Sequence, residues 1–139
     1  MKNSLELKVL EIKEALDSFD DKMDKYEFIL DYGDQLKELA LEFRVNGNKV
    51  LGCQSELWFR GYGSKKIQFE AYSEAKMVRG LTAMVLEIYN DKTAEEILAT
   101  DPKILNNLGI QGLLTPGRQN GIGNLIAKIY EIANKRTGN

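Results

Sequence analysis

The residue best suited to covalent chemistry in this chain of 139 residues is Cys53, the only cysteine. The chain contains no histidine, which excludes Ser-His-Asp and Cys-His catalysis and every histidine-ligated metal site. A single cysteine also excludes an internal disulfide, a Cys-x-x-Cys redox pair and a thiolate cage for zinc or an iron–sulfur cluster within one chain. If the protein performs covalent chemistry, Cys53 is the predicted nucleophile.

Cys53 lies in the sequence Gly52-Cys53-Gln54-Ser55, between segments of strand-like composition. A free cysteine is most often a small buried apolar residue, and that interpretation stays open. A core cysteine is expected inside a periodic apolar run, however, whereas this one follows glycine and precedes two polar residues. The pattern favours a loop or strand end that presents the thiol. Because an ordinary thiol has a pKa of about 8.5, a reactive Cys53 would need backbone N–H groups, a helix N-terminus, or Lys or Arg to stabilise its thiolate.

A second break in the pattern is the glycine-rich segment that runs from Thr115 to Gly123. Thr115-Pro116 is typical of a helix start, but three glycines in the first two turns would each cost about 1 kcal/mol relative to alanine. One interpretation is a loop that delays the helix to about Asn120. The other is a helix against which a backbone or a partner packs closely. Arg118 is then either a solvated cation or a group placed to stabilise a thiolate or to pair with a partner's carboxylate.

Composition restricts the class of protein. Apolar residues make up 43% of the chain and charged residues 29%, with a net charge of −2, so we predict a single globular domain over residues 1–139. The chain has neither the basic surplus nor the basic stripe of a general nucleic-acid binder. It shows no transmembrane span and no signal peptide, and we expect a cytoplasmic protein.

The first part of the chain is predicted to be helical. Apolar residues recur every three or four positions from Leu5 to Phe19, which indicates one amphipathic helix. Asp24, with Glu27 three residues later, predicts the N-cap of a second helix. From Asn46 to Ser73, glycines and β-branched or aromatic residues indicate strands over 57–59 and 67–72, joined by a turn-like link over 60–64. An earlier strand is predicted to begin at 50–51.

The second half returns to helical signals. Ser73 is predicted to cap a long helix, and Thr93 with Glu96 predicts a capping box for a short one. Asp101-Pro102 predicts a further helical turn that Gly109 ends. The apolar stripe of a C-terminal helix is formed by Ile122, Leu125, Ile126, Ile129, Ile132 and Ala133. The resulting fold class is α+β, with a small antiparallel sheet of about three strands packed against helices from both ends of the chain.

Several residue groups occur together in a recognisable order. They are Tyr26-Glu27 with Leu30, Gly33 and Leu36; Gly52-Cys53-Gln54-Ser55 with Trp58; Ser73-Glu74-Ala75 with Val78-Arg79-Gly80-Leu81; Tyr89 with Thr93-Ala94-Glu95-Glu96-Ile97; and Leu114-Thr115-Pro116 with Arg118 and Gly121. With these motifs the chain resembles the SufE/CsdE family, small sulfur acceptors that work with cysteine desulfurases in iron–sulfur cluster assembly. The resemblance extends from about Tyr26 into the C-terminal helix, and it implies a SufE/IscU-like fold.

The resemblance also implies a mechanism that needs one cysteine on this chain. A desulfurase similar to SufS or CsdA, which itself carries pyridoxal phosphate (PLP), holds sulfur as a persulfide, and the Cys53 thiolate takes the outer sulfur. A downstream iron–sulfur scaffold then receives it. No cofactor or metal on this chain is implied, and the protein is expected as a monomer or weak homodimer. In the family the cysteine is sheltered in an apolar cavity until the partner binds.

By the same resemblance, Gln54, Ser55, Trp58, Glu74 and Arg118 are candidates for orienting the Cys53 loop or binding the partner. Glu74 and Arg79 stand where the family more often has aspartate and lysine, and Gly117 stands where a serine is usual. Two alternatives stay open: an iron–sulfur scaffold, which would need more ligands than one cysteine, and a non-catalytic interaction domain in which Cys53 is a core residue.

Overall fold

The computed structural model of the chain describes residues 2–52 and 55–137. Its α-helices are α1 (Ser4–Asp17), α2 (Lys22–Gly33), α3 (Lys76–Tyr89), α4 (Ala94–Leu98) and α5 (Pro116–Arg136). Its strands are β1 (Trp58–Tyr62), β2 (Lys66–Tyr72) and β3 (Lys92–Thr93). Short 3₁₀ turns occupy Leu41–Phe43, Asn46–Asn48, Pro102–Leu108 and Gln111–Leu113. The order of helices, small sheet and helices confirms the predicted α+β class.

The three strands form one antiparallel sheet in the order β1-β2-β3. In β2, Ile67, Phe69 and Ala71 are buried, as their alternation predicts. Helix α3 supplies much of the core, since nearly every side chain from Val78 to Tyr89 is buried. Buried residues of α1 and α5 join the same apolar cluster as the buried residues of the sheet, so helices from both ends of the chain contribute to one core. Within the described part of the chain, no helix has the length and apolar character needed to cross a bilayer.

Two predictions about strands are wrong in their bounds. The predicted link over 60–64 is mostly strand, because β1 continues to Tyr62 and pairs Gly61 with Phe69. The earlier strand at 50–51 is only a short contact, a bridge between Lys49 and Trp58. The third strand is instead β3, whose Lys92 pairs with Ile67.

Two predicted helix caps are also wrong. The N-cap of α2 is Asp21, whose carboxylate accepts a hydrogen bond from the Met23 amide at 2.8 Å, so Asp24 lies within the first turn. Helix α3 begins at Lys76, and its N-cap residue is Ala75. The Ser73 hydroxyl accepts a hydrogen bond from the Ala75 amide at 3.3 Å, just before the helix.

Local chemistry predicts other helix ends correctly. The Thr93 hydroxyl accepts from the Glu96 amide at 3.1 Å, and the Glu96 carboxylate accepts from the Thr93 amide at 3.0 Å, which is the predicted capping box. Helix α5 starts at once after Thr115, whose hydroxyl accepts from the Arg118 amide at 3.2 Å. The alternative of a loop that delays this helix to Asn120 is therefore wrong.

The core contains a pair of tyrosines that links α3 to α5. The Tyr89 and Tyr130 hydroxyl oxygens are 3.1 Å apart, and Tyr130 donates to the Thr100 carbonyl at 2.8 Å. Tyr89 is fully buried. Burial, reinforced by the contact with Tyr130, raises the pKa of the Tyr89 phenol above its ordinary value of about 10.

Because the folded state keeps the Tyr89 phenol protonated, we expect stability to fall as the pH rises above about 10. There the unfolded state ionises and the folded state does not, so this tyrosine alone lowers the free energy of unfolding by about 1.4 kcal/mol per pH unit. Urea titrations at pH 8 to 11 measure the slope, and Tyr89→Phe should reduce it by about that amount. An unchanged slope in Tyr89→Phe would contradict the assignment.

Candidate functional site

The segment that leads to Cys53 is hydrogen-bonded to β2 at one point and to the residue before β1 at another. The Leu39 amide donates to the Ala71 carbonyl of β2 at 3.0 Å. Farther along, the Val50 amide donates to the Leu57 carbonyl at 2.8 Å. The segment 37–50 is therefore held by backbone hydrogen bonds near each of its two ends.

Helix α5 holds the residues immediately before Cys53. The Asn124 side-chain amide donates to the Leu51 carbonyl at 2.6 Å. Gly52 follows with φ of +83°, in the left-handed region that glycine adopts most readily. A Cβ at Gly52 would also overlap the Asn124 amide nitrogen. The backbone angle therefore favours glycine at this position, and a larger residue would also displace the Asn124 side chain.

A small cavity of about 30 Å³ lies beside Ser55, two residues after Cys53. The residues that line it are Ser55, Leu57, Val78, Leu81, Gly117, Arg118, Gly121 and Ile122. Four of these are large apolar residues, and the first two turns of α5 supply the glycines and the only cation of the lining. The cavity can hold an object of about the size of a water molecule or a single sulfur atom.

Arg118 is half-buried at this cavity, near the positive N-terminal end of α5. Among the described residues it makes no ion pair and no side-chain hydrogen bond. An anion that entered the cavity would lie close to Arg118 and to the N-terminal turns of α5 inside largely apolar walls, where charge interactions are stronger than in water. The surroundings can therefore stabilise a thiolate or persulfide anion.

Ser55 also lines a larger cleft of about 460 Å³. Its lining residues are Leu41, Arg44, Ser55, Glu56, Trp58, Tyr72, Ser73, Glu74 and Ala75. The Arg44 guanidinium lies 3.5 Å from the centre of the Tyr72 ring, and its Nε donates to the Leu39 carbonyl at 2.8 Å. The Trp58 and Tyr72 ring centres are 6.3 Å apart. One wall of the cleft is thus an aromatic pair with a cation packed on it.

The fold brings the described candidate residues into two adjacent groups. Ser55 and Arg118 line the small cavity, and Ser55, Trp58 and Glu74 line the larger cleft, so that Ser55 belongs to both. The Glu74 side chain is exposed and makes no ion pair within the described part of the chain. The remaining candidates, Cys53 and Gln54, lie outside the described residues.

Sequence reasoning missed two residues of the site, Arg44 and Asn124. Arg44 is one charged residue among several in an irregular segment, and no local pattern marks its contact with Tyr72. Asn124 lies between apolar positions of α5 and reads as part of the solvated face. Their roles depend on contacts between residues far apart in sequence, which no local motif reports.

Comparison with solved structures supports the fold. The solution structure of a hypothetical protein from Thermus thermophilus superimposes with a TM-score of 0.78, covering 95% of this chain and 97% of that one. The two sequences are 16% identical, so the likeness concerns the fold alone.

The sequence relatives and a family model point to the same family. An uncharacterized SufE-like protein of Rhizobium etli is 37% identical over 134 residues, which covers 90% of each chain. The cysteine desulfuration protein SufE of Wigglesworthia glossinidia brevipalpis is 34% identical over 105 residues, 73% of each chain. The model of the SufE family, described as an Fe-S metabolism associated domain, matches residues 10–133. This chain therefore belongs to the SufE family.

Proposed function

We propose that this protein accepts sulfur from a PLP-dependent cysteine desulfurase as a persulfide on Cys53 and passes it on for iron–sulfur cluster assembly. The observation that carries the proposal is a SufE-family chain whose only cysteine lies in the Gly-Cys-Gln-Ser sequence. The name of the Wigglesworthia relative, a cysteine desulfuration protein, supports the same activity. The lone thiol suits a reducing compartment, and we expect the protein in the cytoplasm as a single domain.

The proposed step is a thiol–persulfide exchange without net oxidation. The Cys53 thiolate attacks the outer sulfur of the persulfide on the desulfurase cysteine. A new S–S bond forms at Cys53 while the S–S bond on the partner breaks, and the desulfurase cysteine leaves as a thiolate. PLP on the partner supplies the chemistry that first removes sulfur from free cysteine. A second exchange of the same kind transfers the sulfur from Cys53 to a downstream scaffold.

The described residues support this step by their placement. The cavity beside Ser55 offers apolar walls and the Arg118 cation, so that a thiolate or persulfide there would be shielded from bulk oxidants and partly neutralised. The cleft that Trp58 and Glu74 line lies next to it and is open to a protein partner. Gln54 is proposed, with Ser55, to orient the thiol.

Mass spectrometry tests the proposal directly. The protein is incubated with the desulfurase and free cysteine, then its intact mass and its Cys53 peptide are measured without reducing agent. We expect the mass of one additional sulfur atom on Cys53, removable by a thiol reductant. Iron binding by the chain would instead support a scaffold, and an unmodified Cys53 would support a plain interaction domain.

Arg118 provides a further test of the site. If its guanidinium stabilises the sulfur anion during transfer, Arg118→Ala should leave the fold intact and slow persulfide formation on Cys53 by about ten- to a hundredfold. This corresponds to one charge-assisted hydrogen bond worth about 1.5–3 kcal/mol. Arg118→Lys should restore little of the rate, because lysine lacks the two-pronged donor geometry of arginine.

The dependence on desulfurase concentration separates two roles for Arg118. A slower rate at saturating desulfurase indicates a role in transfer, whereas an unchanged saturating rate with weaker binding indicates a role in docking. Overlapping curves for wild type, Arg118→Ala and Arg118→Lys would show that Arg118 takes part in neither.

A further inference from the structure

Large apolar side chains are unusually exposed just before Cys53. In the described part of the chain, six large apolar residues are exposed, and three of them fall within eleven residues, 41–51. Leu41 is 76% exposed and Leu51 is 74% exposed, more than any of the other four. Exposed apolar surface that is concentrated in one segment marks an interaction site more often than scattered exposed residues do.

The two most exposed leucines lie beside described residues that precede and follow Cys53 in the sequence. Leu51 precedes it by two residues, so their Cα atoms can be at most about 7 Å apart. Leu41 lines the larger cleft together with Ser55, which follows Cys53 by two residues. We call Leu41 and Leu51 the flanking leucines. Exposed apolar side chains thus lie next to Gly52, through Leu51, and near Ser55, through Leu41.

The backbone holds both flanking leucines in place. Leu41 begins a 3₁₀ turn in which the Arg44 amide donates to its carbonyl at 3.0 Å, while the Arg44 guanidinium packs on Tyr72. The Leu51 carbonyl is held by Asn124. Preformed apolar contacts of this kind lose little conformational entropy on binding, which favours their use in docking.

We propose that the flanking leucines form the apolar contact through which the cysteine desulfurase docks before sulfur transfer. This inference rests on the proposed function, since it names how the partner of that site is held. The expected occupant is an apolar surface beside the desulfurase's persulfide. A second copy of this chain is a poorer fit, because a symmetric dimer closed over Leu51 would also cover Cys53 and obstruct the transfer.

Single serine substitutions test the docking role. The constant for binding the cognate PLP-loaded desulfurase is measured in the Cys53→Ser background, so that no sulfur moves during the titration. Leu41→Ser and Leu51→Ser should each weaken binding about tenfold, as expected for the loss of one leucine buried at an interface. The loss should persist at high salt, because apolar burial is not screened. Leu7→Ser is the matched control, since Leu7 is 53% exposed on α1 and lines neither the cavity nor the cleft, and its binding should equal that of the parent.

Kinetics with Cys53 restored separates docking from transfer. The flanking-leucine variants should need more desulfurase for half-maximal persulfide formation and reach the wild-type rate at saturation. If both variants bind the desulfurase as tightly as their Cys53→Ser parent, while Cys53 of the wild-type protein still gains sulfur, the docking inference alone is overturned. Loss of a homodimer in these variants, without weaker desulfurase binding, would also overturn it. Failure of wild-type Cys53 to gain sulfur would overturn the proposed function itself.

Discussion

Replacing Cys53 with serine is expected to abolish the stimulation of the cognate desulfurase and leave the fold unchanged. Cys53 is the only thiol of the chain, so no other side chain can take the sulfur. A serine hydroxyl is not ionised near neutral pH and forms no persulfide, whereas the thiolate is the reactive form of cysteine. The rate of alanine production from cysteine, measured with and without the protein, reports the stimulation. We expect the Cys53→Ser variant to give the rate of the desulfurase alone.

A thermal unfolding curve is the control for that variant. The melting temperature should change by no more than about 2 °C, because the Gly-Cys-Gln-Ser sequence lies outside any apolar stripe and such substitutions cost little stability. If Cys53→Ser still stimulates the desulfurase by a persulfide route, the proposed function is wrong. A large fall in melting temperature would instead identify Cys53 as a core residue.

The second large effect is expected at Gly80, where α3 crosses α2. A Cβ at Gly80 would lie 2.8 Å from the Ile29 carbonyl carbon and closer still to its oxygen. The facing position on α2 is also glycine, and a Cβ at Gly33 would lie 3.3 Å from the Gly80 amide nitrogen. Two glycines thus allow the two helix backbones to approach at this point.

Gly80→Ala should therefore lower the free energy of unfolding by about 3 kcal/mol, near the upper end of the range for overpacked cores. The atoms that the new methyl group meets belong to a backbone, which cannot rotate away, so the helices must separate. Urea unfolding measured by circular dichroism gives the value. Stability equal to that of wild type would show that the α2–α3 contact is looser than the geometry indicates.

Gly123→Ala is the matched control. Gly123 is also inside a helix, but a Cβ there has no neighbouring atom within 4 Å. Without a clash, the higher helix propensity of alanine should stabilise the protein by up to about 1 kcal/mol. The change from glycine to alanine should thus lower the free energy of unfolding in α3 and raise it in α5.

Local signals predicted those parts of the fold in which a residue and its partner are close in sequence. The Thr93–Glu96 capping box and the Thr115 cap are examples, because each bond spans three residues. The bounds of β1 could not be predicted in this way. Gly61 reads as a turn residue, yet it pairs with Phe69, and a Cβ there would lie 2.9 Å from the Phe69 ring. A glycine in a strand at a close contact looks the same in sequence as a glycine in a turn.

The residues of the candidate site show the same difference between what local sequence predicts and what depends on distant residues. The motifs that carry the family resemblance singled out Ser55, Trp58, Glu74 and Arg118, which the fold places around one cavity and one cleft. Their roles in sulfur transfer stay predictions. No motif marked Asn124, because its hydrogen bond joins it to Leu51, which lies 73 residues earlier in the sequence. What a motif could not give was the α5 contact that fixes the backbone before Cys53.

The position of Trp58 has a practical consequence. It is the only tryptophan of the chain, and it lies in the wall of the cleft together with Ser55. The Lys49 ammonium group lies 5.7 Å from the centre of its ring, so the indole has a charged neighbour as well as a cleft in front of it. Indole fluorescence depends on such surroundings, and the protein therefore has a built-in optical reporter in the cleft that Ser55 lines. Partner docking can be followed through the emission of the unlabelled chain, provided that the partner's own signal is subtracted.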